Sequence, residues 1–333
     1  MNITRIYINK YFYIPALLLL TLVTFTSCEE KIDKSLLTGE PKLVIHGLIT
    51  DQEGPYFVRI TRSSTDLTQK FNLEQELAVS REFEAINNAQ VTISDDQGNV
   101  DSLQFWDVDL TQDGGLGEWV DQGLYSTTHI QGVAGRTYTL TVTHEGQVYQ
   151  AVATIPTEPP TIDEVKYTKS QDKLNDSRVP LISFEEPQQQ KNYYRFFYLP
   201  YTVDPITNEL YLIGGYSEGP NNFWQLISSQ IFVFDDQLLP HKVIDLKLED
   251  ESVFNQELAS PQFIPNTKLE VQIHSISKAY YEYSSSIVEN RLFSPKKPFS
   301  SAPASPPTNI SNGGLGFFGA SSVKSILADG PQN

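Results

Sequence analysis

The chain has 333 residues, a net charge of −17 and one cysteine, Cys28. The acidic balance repels phosphate backbones and argues against nucleic acid as a partner. A lone cysteine excludes intrachain disulfides and thiolate metal clusters, so the fold rests on its core. That core has enough material at 39% hydrophobic and 11% aromatic residues, and the length fits about two domains.

The N-terminus carries Arg5 and Lys10, then an apolar stretch from Ile14 to Thr26 that leads into Ser27 and Cys28. A bilayer-spanning helix needs roughly 20 apolar residues. This stretch is shorter and contains Pro15, and its length suits the h-region of a signal peptide. Residues 1–27 therefore read as a lipoprotein signal peptide, with cleavage before Cys28 and acylation of its thiol. At about 0.8 kcal/mol per buried CH₂, more than one acyl chain makes a stable anchor. Removing residues 1–27 takes away two positive charges and no negative ones, so the mature charge is 22 − 41 = −19. Residues 28–40, with Glu29, Glu30, Lys31, Asp33 and Lys34, form a charged tether.

From residue 41 the pattern is strand after strand. Tyr56, Val58 and Ile60 share one face. Asn88–Ser94 is closed by the turn Asp96-Gln97-Gly98-Asn99. Tyr138–Thr143 alternates apolar and polar residues without a break, turns at His144-Glu145-Gly146-Gln147 and returns as Val148–Ala153. This first domain spans 41–155. Pro156-Thr157-Glu158-Pro159-Pro160 is an extended linker, because proline fixes φ and disfavours helix at the residue before it. A second β domain fills 161–333, with strands expected at Ile162–Thr168, Val179–Phe184, Tyr193–Val203, Glu209–Ile213, Gln230–Phe234, Val243–Leu248 and Leu269–His274. In the last of these, Leu269, Val271 and Ile273 face one side and Glu270, Gln272 and His274 the other.

A helix is expected from Lys278 to about Leu292. Ser277 is its N-cap, Tyr280, Tyr283 and Ile287 form its apolar stripe, and Pro295 and Pro298 follow its end. It should pack on the sheet of the second domain. Residues 299–333 read as a tail, with an irregular stretch, a glycine-rich segment Gly313–Ala320 and a short strand Ser322–Leu327. The fold class is mainly β: two tandem antiparallel sandwiches of immunoglobulin or fibronectin kind, one C-terminal amphipathic helix and a glycine-rich tail.

Three motifs imitate chemistry. Gly215-Tyr216-Ser217-Glu218-Gly219 fits a nucleophile elbow, which requires a strand-to-helix turn in a parallel sheet; Pro220-Asn221-Asn222 follows instead. Gly314-Leu315-Gly316-Phe317-Phe318-Gly319 fits a dinucleotide fingerprint without room for a βαβ unit before Asn333. These glycines read as tight turns where the tail packs back. Asp107 to Glu118 echoes a calcium loop with a misplaced glycine and reads as a solvated acidic loop. The five histidines (His46, His129, His144, His241 and His274) are scattered, with no H-E-x-x-H spacing. No enzyme activity and no cofactor are expected. Trp106, Trp119 and Trp224 are the candidate contacts for a ligand or partner, since aromatic residues in polar loops suit sugar or protein binding.

Several segments together resemble one family of Bacteroidota lipoproteins, catalogued as domain of unknown function 4249. They are Ser27-Cys28-Glu29-Glu30, Lys42–Thr50, Ala89–Ile93, Gly135–Leu140, Pro160–Asp163, Asn192–Phe196, Ser277–Tyr283 and, most specifically, Thr308–Gly319. The resemblance implies a partner of a TonB-dependent outer-membrane receptor. It also implies that Glu29, Glu30 and Asp33 behind the lipidated cysteine direct the protein to the cell surface. It supplies no catalytic residues. The expectation is a non-enzymatic lipoprotein on the outer membrane, facing outward, that captures substrate for such a receptor or assists it. A free-standing adhesion or glycan-binding module is the alternative, and a serine hydrolase using Ser217 is a third.

Overall fold

The computed structural model describes residues 40–63, 84–106, 123–169, 178–187, 191–212, 225–226, 232–248, 267–292 and 305–331. Cys28, Trp119, Trp224, Ser217 and the acidic loop 107–118 lie outside these residues. From Pro41 onward the described residues fall in one compact unit.

The first part of the chain forms β1 (Leu43–Thr50), β2 (Phe57–Arg62), β3 (Glu84–Ala85), β4 (Gln90–Asp95), β5 (Val100–Ser102), β6 (Gln104–Phe105), β7 (Leu124–Ser126), β8 (Thr137–His144) and β9 (Gln147–Thr154). After the proline segment come β10 (Ile162–Lys169), β11 (Arg178–Glu185), β12 (Tyr193–Val203), β13 (Leu210–Leu212), β14 (Phe232–Asp235), β15 (Lys242–Lys247), β16 (Thr267–Ile276), helix α1 (Lys278–Leu292) and β17 (Leu315–Asp329). The mainly β expectation holds, and strands stand where the alternation placed them. β12 has the expected limits, and β8 extends its expected range by one residue at each end.

The strands form three sheets. A ten-stranded open sheet runs β13-β12-β16-β17-β1-β2-β7-β6, with β14 also paired to β12 and β3 to β2. It takes strands from both sides of residues 156–160. A four-stranded sheet, β5-β4-β8-β9, and a three-stranded sheet, β10-β11-β15, complete the set. Two apolar clusters lie on one face of the large sheet. Ile45, Ile49, Val58, Ile60 and Phe318 meet Val91, Ile93, Leu140 and Val142 of the four-stranded sheet. Tyr194, Phe196, Val271 and Ile273 meet Ile162, Ile182, Phe184 and Val243 of the three-stranded sheet. The first cluster is fastened by buried tyrosines. The Tyr125 hydroxyl donates to Ile86 O at 2.9 Å and accepts from Ala89 N at 2.9 Å. The Tyr138 hydroxyl donates to Gln131 O at 3.1 Å and accepts from Val133 N at 2.9 Å. Each ring fills the core while its hydroxyl satisfies loop backbone that would otherwise be buried without partners.

Two expectations need correction. The C-terminal segment is not a tail with a short strand. Leu315–Asp329 is one continuous strand inside the large sheet, parallel to β1 and antiparallel to β16. Its glycines serve close approach. Gly316 has φ +91°, and a Cβ there would stand 2.1 Å from Ile45 O; a Cβ on Gly319 would stand 2.7 Å from the Tyr280 ring. Asn309 supplies a ladder from its side chain: Oδ1 accepts from Phe318 N and Nδ2 donates to Phe318 O, both at 2.9 Å.

The helix, in turn, is internal to the chain, and it packs on the large sheet's other face, against β12, β14 and β17. Its limits and cap are as expected, with Tyr280 N donating to Ser277 Oγ at 3.2 Å. Tyr280 and Tyr283 lie over Phe317, with ring centroids 5.4 and 4.9 Å apart. Beyond Tyr283 the helix is partly covered on most sides, so the single apolar stripe understates its contacts.

Candidate functional site

The helix-covered face of the large sheet carries a connected group of buried polar residues. Strand alternation places Arg195 of β12 and Gln272 and His274 of β16 on this face, opposite the apolar residues at neighbouring positions. Arg195 pairs directly across from His274, and His46 of β1 directly across from Arg59 of β2. Leu48, Phe57, Leu124, Tyr193, Leu226, Ile276, Tyr280 and Phe317 supply apolar packing around them. Gln272, His274, Ser321 and Gln225 have no exposed surface, and Arg195 has 4%.

The hydrogen bonds form one connected chain with a single consistent polarity. Gln272 Nε2 donates to Glu270 Oε1 at 2.8 Å, so Gln272 Oε1 is the acceptor end of the amide. It receives Gln225 Nε2 at 2.8 Å and His274 Nε2 at 3.1 Å. His274 is then the Nε2–H tautomer, and its Nδ1 accepts the Ser321 hydroxyl at 3.0 Å. Gln225 Nε2 also donates to Gln52 Oε1 at 2.8 Å. The other Glu270 oxygen accepts the Tyr201 hydroxyl at 3.0 Å. Arg195 donates through one terminal nitrogen to Gln225 O at 2.8 Å and through the other to the Tyr280 hydroxyl at 3.4 Å.

Burial and two arginines set the electrostatics at the histidines of this face. Burial, with the Arg195 charge as a second cause, holds His274 neutral far below the ordinary histidine range. Burial, then Arg195 and Arg59, push His46 down to about 4. Burial pushes the Tyr283 hydroxyl up to about 12. A neutral His274 aligned by Ser321 and Gln272 orients its neighbours and carries no charge at pH 7. The face holds a buried guanidinium beside a network of amides, an imidazole, hydroxyls and the Glu270 carboxylate.

Of the sequence-selected contacts, Trp106 is described. It is half-buried at the large sheet's edge, its ring 5.0 Å from Phe57, and it joins the apolar packing of this face. The network residues were not singled out by the sequence. Glu270, Gln272 and His274 read there only as the side of the strand opposite Leu269, Val271 and Ile273, and His46 as one of five scattered histidines. A possible signal was the composition of that side: two amides or imidazoles with little charge, in a chain otherwise rich in carboxylates.

The fold and this face define a mainly β, several-sheet protein with a buried polar seam under an internal helix. Residues 27–326 match the family described as Domain of unknown function (DUF4249), and the chain belongs to that family. No curated protein matches it. Among the described residues, no helix is long and apolar enough to cross a membrane.

Proposed function

We propose that the protein is a non-enzymatic lipoprotein, anchored through acylated Cys28 on the outward face of the outer membrane, and that it serves a TonB-dependent receptor as a substrate-capturing or accessory subunit. The observation that carries this reading is Cys28 directly behind a short apolar run, together with a family match that begins at Ser27, one residue before the proposed mature terminus. Acidic residues at Glu29, Glu30 and Asp33 support outward display. The two apolar clusters support a body of two sandwiches that share the large sheet, the first of them taking Ile310, Phe318 and Ala320 as well as residues of 41–155. The packing of half-buried Trp106 against Phe57 weighs against the glycan-binding alternative, since part of the ring is used internally.

Two experiments test the proposal. Metabolic labelling with a fatty acid should mark the wild type and not a Cys28→Ala variant, and the mature protein should begin at Cys28. Affinity purification of a tagged protein in mild detergent should recover a large outer-membrane barrel in defined stoichiometry. An unlabelled wild-type protein would overturn the anchor. Recovery of the lipoprotein alone, under conditions that preserve a control receptor complex, would overturn the partnership.

A further inference from the structure

The two smaller sheets differ on the sides they turn to solvent. On the three-stranded sheet, Lys166 pairs with Glu164 at 2.7 Å and with Asp245 at 3.5 Å, an ordinary charged surface. On the four-stranded sheet, β8 presents threonine at every second position from Thr137 to Thr143, and the outward positions of β4, β5 and β9 are all Ser, Thr, Val or Gln. None of these outward side chains is charged, in a chain of 41 acidic and 24 basic residues. Surfaces commonly carry roughly 25–35% charged residues, so a face of this width would ordinarily hold about three or four.

This uncharged face is open. Val100 is 56% exposed, Val148 48% and Val152 57%. Its polar groups are partly spent on one another: the Thr137 and Thr154 hydroxyls bond at 2.9 Å, and Gln150 Nε2 donates to Thr141 Oγ1 at 3.3 Å. Groups paired in this way lose less on leaving water. The β9 edge of the sheet, by contrast, is closed. Ser311 N donates to Gln150 O at 2.8 Å, Gln150 N to Ser311 Oγ at 2.7 Å and Asn309 Nδ2 to Val152 O at 3.4 Å. A partner therefore has the face to pack on rather than that edge to extend.

A partner for this face must be flat and uncharged where it touches. A second copy of the face meets both conditions, and it lets two chains of net charge −17 meet where neither carries charge. Sheets stack face to face about 10 Å apart, and a two-fold axis makes such a contact self-complementary. We propose that the outward face of the four-stranded sheet is a homodimer interface, with the β8 threonines and β9 valines of one copy packed on those of the other. At about 4.8 Å between strands and 3.3 Å per residue, the strands cover roughly 400 Å² on each copy, the scale of a weak, reversible contact. The inference goes beyond the receptor reading and does not require it.

Sedimentation equilibrium of the purified full chain in mild detergent, over the micromolar range and at low and high salt, tests it. A monomer–dimer equilibrium is expected, and salt should strengthen it by screening the repulsion between two acidic chains. Val148→Glu combined with Val152→Glu should weaken the dimer at least tenfold, because like charges then meet in the contact. Lys166→Glu, on the other small sheet, should leave it unchanged. A wild-type protein that stays monomeric overturns the proposal, a result that stands even where a variant does not fold. If barrel recovery from that monomer is also lost in the double variant, the face serves the receptor instead. A dimer that survives in a folded double variant is held elsewhere, by the acyl anchor or another surface, and overturns the proposal as well. So does association that weakens as salt rises. Failure of barrel co-purification would leave the wild-type equilibrium unchanged, so the two proposals fail separately.

Discussion

Single side chains set two separate acid sensitivities. Asp101 is fully buried, and its carboxylate accepts from Thr128 N at 2.8 Å, Thr128 Oγ1 at 2.7 Å, His129 N at 2.8 Å and Ile130 N at 2.9 Å. Burial alone would raise its pKa, but these four bonds outweigh burial and hold it below the ordinary aspartate value. A depressed carboxylate pKa stabilises the fold fully above the unfolded value near about 3.9, and that contribution is lost as pH falls through the lower folded value. His46 acts in a higher window. Its folded pKa of about 4 lies under its ordinary 6.5, so below 6.5 the unfolded chain takes up a proton that the folded chain refuses. Stability should therefore fall between pH 6.5 and 4, by at most about 3 kcal/mol from this group, with His274 acting in the same direction. Urea midpoints across pH 3–8 check both. His46→Gln should reduce the slope of the upper window, leaving the part due to His274, and leave the lower one unchanged. Asp101→Ala should cost about 3 kcal/mol at pH 7, because it strands several donors. An unchanged slope between pH 6.5 and 4 in a folded His46→Gln protein would contradict the assignment.

At the scale of elements, β17 depends on the absence of two side chains. An alanine Cβ at Gly316 would meet the fixed backbone oxygen of Ile45 at 2.1 Å, and the residue has φ +91° besides. Gly316→Ala should cost more than about 3 kcal/mol. At Gly319 the obstacle is the Tyr280 ring, a side chain that can retreat, so Gly319→Ala should cost about 1–3 kcal/mol. The two cases separate in a double-mutant cycle read by chemical denaturation. Tyr280→Ala should relieve most of the Gly319→Ala cost and none of the Gly316→Ala cost. Equal relief at both positions would refute the contact reading. These glycines also explain why the strand was hidden. β8 announces itself through alternating Tyr138, Leu140 and Val142 against Thr139, Thr141 and Thr143, because only one of its faces is buried. Phe317 and Phe318 of β17 are adjacent and buried on opposite faces, and Gly316 and Gly319 flank them, so this part of the strand shows no period-2 signal. Helix α1 was legible to its ends because a cap and two prolines mark it locally. The polar seam was not, since alternation reports which side a residue takes and not whether another element covers that side.

For the whole molecule, the decisive contacts join the ends of the described chain. β17 lies between β1, near the start of the body, and β16, which belongs to the second cluster. One strand therefore bridges both halves of the large sheet, with seven register pairs to β1 and nine to β16. Local pattern carries no information about such pairing, which is why two halves separated by a proline segment read as tandem units. Non-local pairing of this kind requires loop closure before any contact forms, and it slows folding. It also fixes what truncation does. A chain ending at Gly314 loses the strand that supplies Phe317 to the helix face and Phe318 to the first cluster, and it leaves β1 and β16 with open edges. Such edges aggregate when they are long and apolar. The truncated protein should lack a cooperative thermal transition, be cleaved by protease throughout rather than near its end, and recover neither property at low temperature. A shortened protein that kept the wild-type circular dichroism spectrum and protease resistance would mean that β1 and β16 are held by their other neighbours. The halves would then be independent, as the proline segment alone suggests.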